Sequence, residues 1–366
     1  MINKQILKNE EKAIFALRSL YKSHGYLPFK MSKFEEYDLY VRNKDFLIGN
    51  GIITFNDTNG KLLALKPDVT LSIIKNGSDE TGCKQKLYYN ENVYRISGST
   101  HQYKELMQTG IECIGDVDLY DIFEVTSLAA KSLAMISEDY VLEISHLGVL
   151  TAILDKLGLH ESLRESIVRF ISEKNAHDLA LLCEKENIDG EYAEKLHTLT
   201  SLYGDMGSVI NKLRELDIKE AAAAIDELEA LSSLLAPTGL CEKIRIDLSI
   251  VNNIKYYNGF VFKGFLSGIC EGVLAGGQYD KLMRRMGRRS GAVGFAIYLD
   301  LLEGLEGASE KYDVDVLLLY GKDTDLSLLA EKTAAYIADG KSVTAQKAIP
   351  EKLRYRELVD VRNGGN

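Results

Sequence analysis

The sequence lacks the long apolar stretches that mark membrane and secreted proteins. No uninterrupted apolar run reaches the roughly 18–20 residues that a membrane-spanning helix needs. Met1 to Gln5 lead directly into a polar amphipathic segment rather than into the apolar region of a signal peptide. We therefore expect a cytoplasmic protein that makes no membrane contact.

Paired metal-ligand motifs are also missing. The five cysteines, at positions 83, 113, 183, 241 and 270, include no Cys-x-x-Cys pair, and the six histidines show no His-Glu-x-x-His spacing. The sequence therefore predicts no metal site and no cofactor. It also predicts five reduced thiols, mostly on small buried side chains.

An excess of basic residues is absent as well. The chain carries 44 Lys and Arg against 54 Asp and Glu, a net charge of −10, whereas a protein that holds an RNA backbone usually has a basic stripe or domain. One dense basic cluster occurs, at Lys281, Arg284, Arg285, Arg288 and Arg289. Either a solvated helix face or an anion or partner site explains that cluster. The charge balance argues mildly against tRNA binding.

The remaining composition is that of a globular chain. Hydrophobic residues make up 46% and charged residues 27% of the 366 positions, and that length predicts two or three compact units. Apolar spacing predicts a helix over 5–24 and further helices over 118–135 and 147–158. Two antiparallel strands are predicted over 87–96 and 106–114.

Two later regions differ from the rest of the chain in composition and in the pattern of apolar residues. Leu-, Ala- and Glu-rich sequence from about 160 to 238 predicts a helical insertion, because strand-like sequence resumes at 244–251 and 260–265. From residue 312 the pattern predicts a strand over 314–320, a helix over 326–338 and a weak strand near 342–345. This tail is a small α/β unit of ~55 residues. No element is assigned to residues 346–366.

The stretch from Leu106 to Gly115 is the most informative. As a strand, it places Gln108, Gly110 and Glu112 on one side and a mainly apolar set on the other. Gln and Glu separated by Gly would form a polar floor with room above it for a ligand. An exposed sheet face is the commoner origin of such alternation, so both interpretations stand on this pattern alone.

Five segments stand in a recognisable order along the chain. They are Leu65-Lys-Pro-Asp-Val-Thr70, Tyr94-Arg95 with Gln108-Thr-Gly-Ile-Glu112, Tyr256-Tyr-Asn-Gly259, Ala275-Gly-Gly-Gln-Tyr-Asp280 and Gly291-Ala-Val-Gly-Phe-Ala296. Together they resemble the histidyl-tRNA synthetase branch of the class II synthetases. The resemblance spans roughly residues 5–305. It implies an α+β fold in which a mixed, mainly antiparallel sheet with flanking helices occupies 1–305, and 312–366 form a truncated C-terminal α/β unit.

The resemblance implies a pocket for free L-histidine. Asp68, Thr70 and Gln108 would hold the α-ammonium group. Glu112 would accept a hydrogen bond from the imidazole ring, and Tyr257 would complete recognition of the side chain. Tyr279 would close the pocket as an aromatic wall. The implied ligand-binding residues are Asp68, Thr70, Gln108, Glu112, Tyr257 and Tyr279.

The departures from the family concern its ATP chemistry. The motif 3 arginine falls at Leu301, a second catalytic arginine falls at Asn252, and Lys255 replaces the usual aspartate. Arg95 of motif 2 is retained and is a candidate anion contact. Because each lost cation is worth on the order of 10²–10³ in rate, adenylation is expected to be effectively absent.

A chain that keeps such a pocket and loses these cations resembles the regulatory subunits of short-form ATP phosphoribosyltransferase. The resemblance implies a subunit without catalytic residues that binds histidine and confers activation and feedback inhibition on the first step of histidine biosynthesis. It implies a homodimer within a hetero-oligomer that contains the short-form catalytic subunit, and no tRNA partner. A divergent histidyl-tRNA synthetase and a synthetase-like scaffold without a histidine response are the alternatives.

Overall fold

The computed structural model describes residues 7–43, 51–77, 82–97, 100–251, 254, 256–304 and 312–362. The chain divides into two compact units, Met1–Leu305 and Glu306–Asn366. Across the described ranges, no helix combines the length and the apolar character needed to cross a membrane.

The first unit holds most of the helices. Its first helix begins at Asn9, after a capping box in which the Lys8 backbone N–H donates to the Glu11 carboxylate at 2.9 Å. The predicted start at residue 5 falls outside the described residues. The helices are α1 (Asn9–Ser23), α2 (Tyr37–Arg42), α3 (Thr70–Asn76), α4 (Leu119–Ile136), α5 (Leu147–Leu157), α6 (Glu161–Ser172), α7 (Ala176–Lys185), α8 (Gly190–Ser201), α9 (Met206–Glu215), α10 (Ala222–Leu235) and α11 (Asp280–Arg285).

The strands of this unit form a large sheet and a small one. They are β1 (Leu27–Pro28), β2 (Phe34–Glu36), β3 (Thr54–Asn56), β4 (Leu62–Leu65), β5 (Lys84–Ile96), β6 (Tyr103–Gly115), β7 (Tyr140–His146), β8 (Tyr203–Gly204), β9 (Ile244–Asp247), β10 (Phe260–Leu266), β11 (Leu274–Gln278) and β12 (Gly291–Tyr298). The large sheet runs β1-β5-β6-β12-β11-β10-β7-β9-β8, and the small one runs β2-β4-β3.

Most neighbours in the large sheet are antiparallel, while β1 with β5 and β7 with β9 are parallel. The predicted mixed, mainly antiparallel sheet is therefore confirmed. The hairpin of β5 and β6 extends several residues beyond the predicted strands, and the predicted helices α4 and α5 end within a residue of their expected bounds.

The sheet separates two apolar clusters. Along β6, Ile111 and Cys113 pack into the larger cluster with α1 and α4, whereas Ile114 belongs to the smaller cluster on the other side. The alternation of β6 therefore reflects a sheet covered on both faces. Since Gln108 and Glu112 are only 3% and 2% exposed, the interpretation as an exposed polar face is wrong for this strand.

Helices α6 to α10 form the helical insertion and join the sheet partly through a polar contact. His146, at the end of β7, accepts a hydrogen bond through Nδ1 from the Gly148 backbone N–H at 3.1 Å. Its Nε2 therefore carries the proton and donates to Glu227 Oε2 on α10 at 3.0 Å. The imidazole thus caps the N-terminus of α5 and also holds α10 through Glu227.

The second unit is a small parallel sheet with one helix. Its elements are β13 (Val314–Leu319), α12 (Leu326–Ala338), β14 (Val343–Gln346) and β15 (Tyr355–Asp360). The strand order is β14-β13-β15, with both pairs parallel. Strand β15 lies in the region to which the sequence assigns no element.

All five cysteines are unpaired, but they are less buried than predicted. Cys113 and Cys183 are buried and Cys241 is partly buried, whereas Cys83 and Cys270 are exposed. The expectation of mostly buried thiols is therefore wrong for the last two. Both lie near a glycine with positive φ, Gly82 or Gly268.

Gly110 lies where β6 and its neighbouring strands are too close to leave room for a side chain. A Cβ atom at this position would lie 2.2 Å from the Phe295 backbone oxygen, which cannot retreat without breaking the pairing with β12. We expect Gly110→Ala to lower the free energy of unfolding by about 1–3 kcal/mol, measured by chemical denaturation. Gly190→Ala is the matched control, because a Cβ atom there meets nothing within 4 Å. Equal stability of the two variants would contradict this prediction.

Candidate functional site

A pocket opens on the face of the large sheet that carries Gln108 and Glu112. Its empty volume, counted together with the solvent space at its mouth, is about 490 Å³. The structure brings all seven singled-out residues to this pocket: Asp68, Thr70, Arg95, Gln108, Glu112, Tyr257 and Tyr279. Side chains that are far apart in sequence therefore share one concave site.

The loop between β4 and α3 supplies one side of the pocket. The Asp68 carboxylate accepts a hydrogen bond from the Leu71 backbone N–H at 3.0 Å, in the first turn of α3. Arg95 Nε on β5 donates to the Pro67 carbonyl at 3.0 Å. Burial raises the pKa of Asp68, and the hydrogen bond from Leu71 and the charge of Arg95 oppose that rise. The loop is thus fixed at both ends of its turn.

The Glu112 carboxyl group lies at the bottom of the pocket. Thr70 Oγ1 donates to Oε1 at 2.9 Å, and the Tyr279 hydroxyl donates to Oε2 at 2.5 Å. Burial raises the pKa of Glu112 to about 8; these two hydrogen bonds oppose the rise, and the nearby Asp68 adds to it. Burial, with a smaller contribution from Asp68, therefore favours a neutral Glu112 near pH 7.

Glycine opposite Glu112 makes room for that side chain. Gly294 on β12 pairs with Glu112 on β6. A Cβ atom on Gly294 would lie 1.9 Å from Glu112 Oε2. The polar floor is therefore bordered by backbone rather than by side chains along β12 and β11, where Ala275, Gly276 and Ala296 also line the pocket.

Three tyrosines form an aromatic wall. The rings of Tyr256 and Tyr257 meet edge to face with centroids 4.5 Å apart, and Tyr256 lies 5.9 Å from Tyr279. Such contacts add to the apolar burial of each ring. Burial and the neighbouring carboxylates raise the pKa of all three phenols, so their hydroxyl groups stay protonated and can donate hydrogen bonds.

Two details differ from the expected arrangement. The room above Gly110 is not open, because a Cβ atom there would lie 2.6 Å from the Tyr89 hydroxyl. The expected open space is therefore wrong: the phenol of Tyr89 reaches into it from β5. Thr70 was expected to hold an ammonium group, but its hydroxyl group donates a hydrogen bond to Glu112. The Gln108 amide makes no hydrogen bond to any described residue and remains available to a ligand.

The positions expected to lack catalytic cations are only partly described. Leu301 is half-buried and packs against the larger apolar cluster. Asn252 and Lys255, expected to replace charged residues of the family, lie outside the described residues. Arg95 is engaged by the Pro67 carbonyl and lies within hydrogen-bonding reach of the Tyr298 hydroxyl.

The basic cluster has a structural role at one position at least. Arg288 donates from Nη2 to the carbonyl oxygens of Ile74 and Lys75, at 3.0 and 3.2 Å. A cation at the carboxyl end of a helix stabilises its unpaired carbonyl groups. Arg288 therefore fixes the end of α3, whose first turn forms part of the pocket.

Three tyrosines of the pocket were not among the predicted site residues: Tyr89, Tyr256 and Tyr298. Tyr298 has a recognisable signal, since it continues the two-residue spacing of Gly294 and Ala296 along β12. Tyr89 has a weaker one, because its position opposite Gly110 depends on the register of β5 against β6. Across the described residues, no group of three or more His, Cys, Asp or Glu side chains is placed to hold a metal ion.

Comparisons with known proteins agree with this architecture. The family model for histidyl-tRNA synthetase matches residues 3–302. An ATP phosphoribosyltransferase regulatory subunit from Caldanaerobacter subterraneus subsp. tengcongensis is 31% identical over 288 residues, which cover 77% of this chain and 75% of the relative. The regulatory subunit from Clostridium kluyveri is 30% identical over 318 residues, which cover 84% of this chain and 81% of the relative.

Solved structures share the fold. The protein described as an ATP phosphoribosyltransferase regulatory subunit/histidyl-tRNA synthetase from Bacillus halodurans C superposes with a TM-score of 0.77 at 24% identity, over 97% of this chain and 94% of that one. A chain of the ATP phosphoribosyl transferase (HisG:HisZ) complex from Thermotoga maritima gives a TM-score of 0.63 at 23% identity, over 79% of this chain and 97% of that one. At these identities the likeness concerns the fold alone.

The raised pKa of Glu112 makes stability depend on pH. Between about pH 4.5 and 8 the folded chain keeps a proton that the unfolded chain has released, so the free energy of unfolding falls as pH rises through this window. Glu112→Gln removes the titrating group. We expect the variant to match the wild type near pH 5 and to exceed its stability by roughly 1–3 kcal/mol at pH 8.

Chemical denaturation at pH 5, 6.5 and 8 measures this difference. Glu194→Gln, which alters an exposed side chain on α8, is the matched control and should follow the wild type at each pH. A Glu112→Gln variant that loses stability with pH as steeply as the wild type would show that Glu112 is already ionised in the folded chain.

Proposed function

Because the chain belongs to the histidyl-tRNA synthetase family, and within it to the regulatory subunits of ATP phosphoribosyltransferase, we propose that it binds free L-histidine and regulates a catalytic partner. The partner is a short-form ATP phosphoribosyltransferase catalytic subunit. The regulated reaction is the first step of histidine biosynthesis. The chain itself contributes no catalytic residue.

The observation that carries the proposal is the pairing of two buried carboxyl groups with an unengaged amide in one pocket. Burial raises the pKa of both carboxyl groups, and Asp68 adds to the rise at Glu112, so a cation in the pocket would be stabilised. The α-ammonium group of an amino acid supplies that cation near Asp68 and Gln108. The imidazole N–H then donates to Glu112, a hydrogen bond that an apolar side chain cannot form.

Arg95 suits the α-carboxylate group of the ligand. Its guanidinium group lines the pocket between Pro67 and Tyr298. A free amino acid carries a carboxylate, whereas adenylation would also bring the triphosphate of ATP into the same region. One arginine already engaged by a backbone carbonyl matches the single charge of a carboxylate better than a triphosphate. This argues for a ligand-sensing role rather than adenylation.

Histidine would act by shifting the population between two arrangements of the pocket. Its imidazole competes with the Tyr279 hydroxyl for Glu112, and Tyr279 directly precedes α11. A change at Tyr279 is thereby carried to a helix at the surface. A ligand shifts such an equilibrium only through its different affinities for the two states. The proposed assembly is a homodimer of these subunits combined with catalytic subunits.

Reconstitution tests this function. Mixing the full chain with a short-form catalytic subunit should raise the rate of phosphoribosyl-ATP formation, and added L-histidine should lower it. In Gln108→Ala the histidine concentration for half-inhibition should rise roughly tenfold, as expected for losing a hydrogen bond to a charged group.

Gln346→Ala, an exposed change on β14, is the matched control and should leave histidine inhibition as in the wild type. No complex on a sizing column and no change in rate would refute the regulatory function. An unaltered histidine response in Gln108→Ala and Glu112→Ala would place the sensing site elsewhere.

Adenylation can be tested separately. We expect no histidine-dependent exchange of pyrophosphate into ATP above background, because Leu301 cannot bind a phosphate group. A histidyl-tRNA synthetase assayed in parallel is the positive control. Measurable exchange by the full chain would instead support a divergent synthetase.

A further inference from the structure

A second cleft lies in the first unit, between the helical insertion and the segments that carry the aromatic wall. Its empty volume is about 980 Å³. Leu154 on α5 and several residues of α6 form one side, and Ile254 and Lys281 form the other. The cleft shares no lining residue with the pocket around Glu112.

Helix α6 has two distinct faces. Leu163, Ile167 and Ile171 are buried in the larger apolar cluster. Arg164, Val168 and their neighbours at three- and four-residue steps line the cleft instead. The insertion therefore covers the core with one face of α6 and presents a mixed apolar and charged face to the cleft with the other.

Among the described residues that line the cleft, three carry a positive charge and two a negative charge. Arg164, Arg169 and Lys281 line it together with Glu161 and Glu165. Arg164 is paired with Asp155 at 2.8 Å, and Lys281 Nζ donates to the Ile254 carbonyl at 3.2 Å.

Arg169 is the cation best placed for a ligand. It lies 4.8 Å from the ring centroid of Phe170 and forms no ion pair with any described residue. Burial lowers the pKa of Lys281, with Arg164 and Arg284 acting in the same direction and Asp155 against it. An added anion would therefore relieve the repulsion between Lys281 and Arg164, which face each other across the cleft.

The wall between the cleft and the pocket is one hydrogen-bonded unit. The Lys281 backbone N–H donates to Asn258 Oδ1 at 3.4 Å, and Asn258 Nδ2 donates to Asp280 Oδ2 at 3.1 Å. Ile254 stands two residues before Tyr256, and Lys281 two residues after Tyr279. The same two segments thus face the cleft with one side and the pocket with the other.

We propose that this cleft is a second binding site, for a small organic anion that joins one phosphate or carboxylate group to an apolar body. Guanidinium groups recognise phosphate and carboxylate through paired N–H donors. Leu154, Val168 and Ile254 supply apolar contact for the rest of the ligand. Because the wall is shared, occupancy of the cleft changes the affinity of the pocket for histidine; this coupling rests on the function proposed above.

Calorimetric titration of the full chain without histidine tests the site itself. Phenyl phosphate and benzoate provide the two anionic groups, and benzyl alcohol is the neutral probe. Both anions should bind at millimolar concentration or below and the alcohol should not. Comparison of the two anions distinguishes a phosphate from a carboxylate site.

Arg169→Gln should weaken anion binding about tenfold, the loss expected for a charge-assisted hydrogen bond. Val168→Phe should abolish it by filling the apolar side. Arg18→Gln is the matched control, since Arg18 also lies over a phenylalanine ring, at 5.8 Å from the Phe15 centroid, but on α1. No anion binding in the wild type, or equal binding in Arg169→Gln, overturns the site.

Titration of histidine with and without saturating phenyl phosphate tests the coupling. We expect the dissociation constant for histidine to change by about fivefold or more, and the reciprocal titration to change by the same factor. An unchanged constant refutes the coupling. If the anion binds but histidine does not, the function proposed for the pocket fails while the cleft stands as an independent site.

Discussion

A carboxyl group buried in a protein must find hydrogen-bond donors, and Glu112 finds them in Thr70 and Tyr279. Those two contacts join β6, the start of α3 and the start of α11. Three elements from distant parts of the sequence are therefore held against one another at the bottom of the pocket. The arrangement also leaves the site short of cations, which is what makes a cationic ligand favourable there.

The same sheet serves two purposes on its two faces. One face is closed by α1 and α4 over a continuous apolar cluster, which supplies most of the burial that stabilises the unit. The other face is only partly closed, and its strands carry glycine, alanine and a few polar side chains around the pocket. Rigid packing behind the sheet is what allows polar groups in front of it to keep fixed positions.

Much of this could be predicted from the sequence. The alternation in β6, the helical spacing of α4, α5 and α12, and the helical insertion are all local patterns. The five matching segments added the fold and the seven pocket residues. The position of Tyr89 above Gly110 and the contact of Thr70 with Glu112 could not be foreseen. Both depend on the register of neighbouring strands and on how far a side chain reaches across them, which spacing along one strand does not contain.

The glycines opposite the polar floor have a consequence for how such a site can diverge. Gly294 stands against Glu112, and Gly276 stands against the backbone of β12, so neither accepts a side chain without moving a strand. Ligand specificity therefore cannot change through larger side chains at these two positions. A change of ligand therefore requires exchange of side chains that already line the pocket, in the tyrosine wall and in the loop at Asp68.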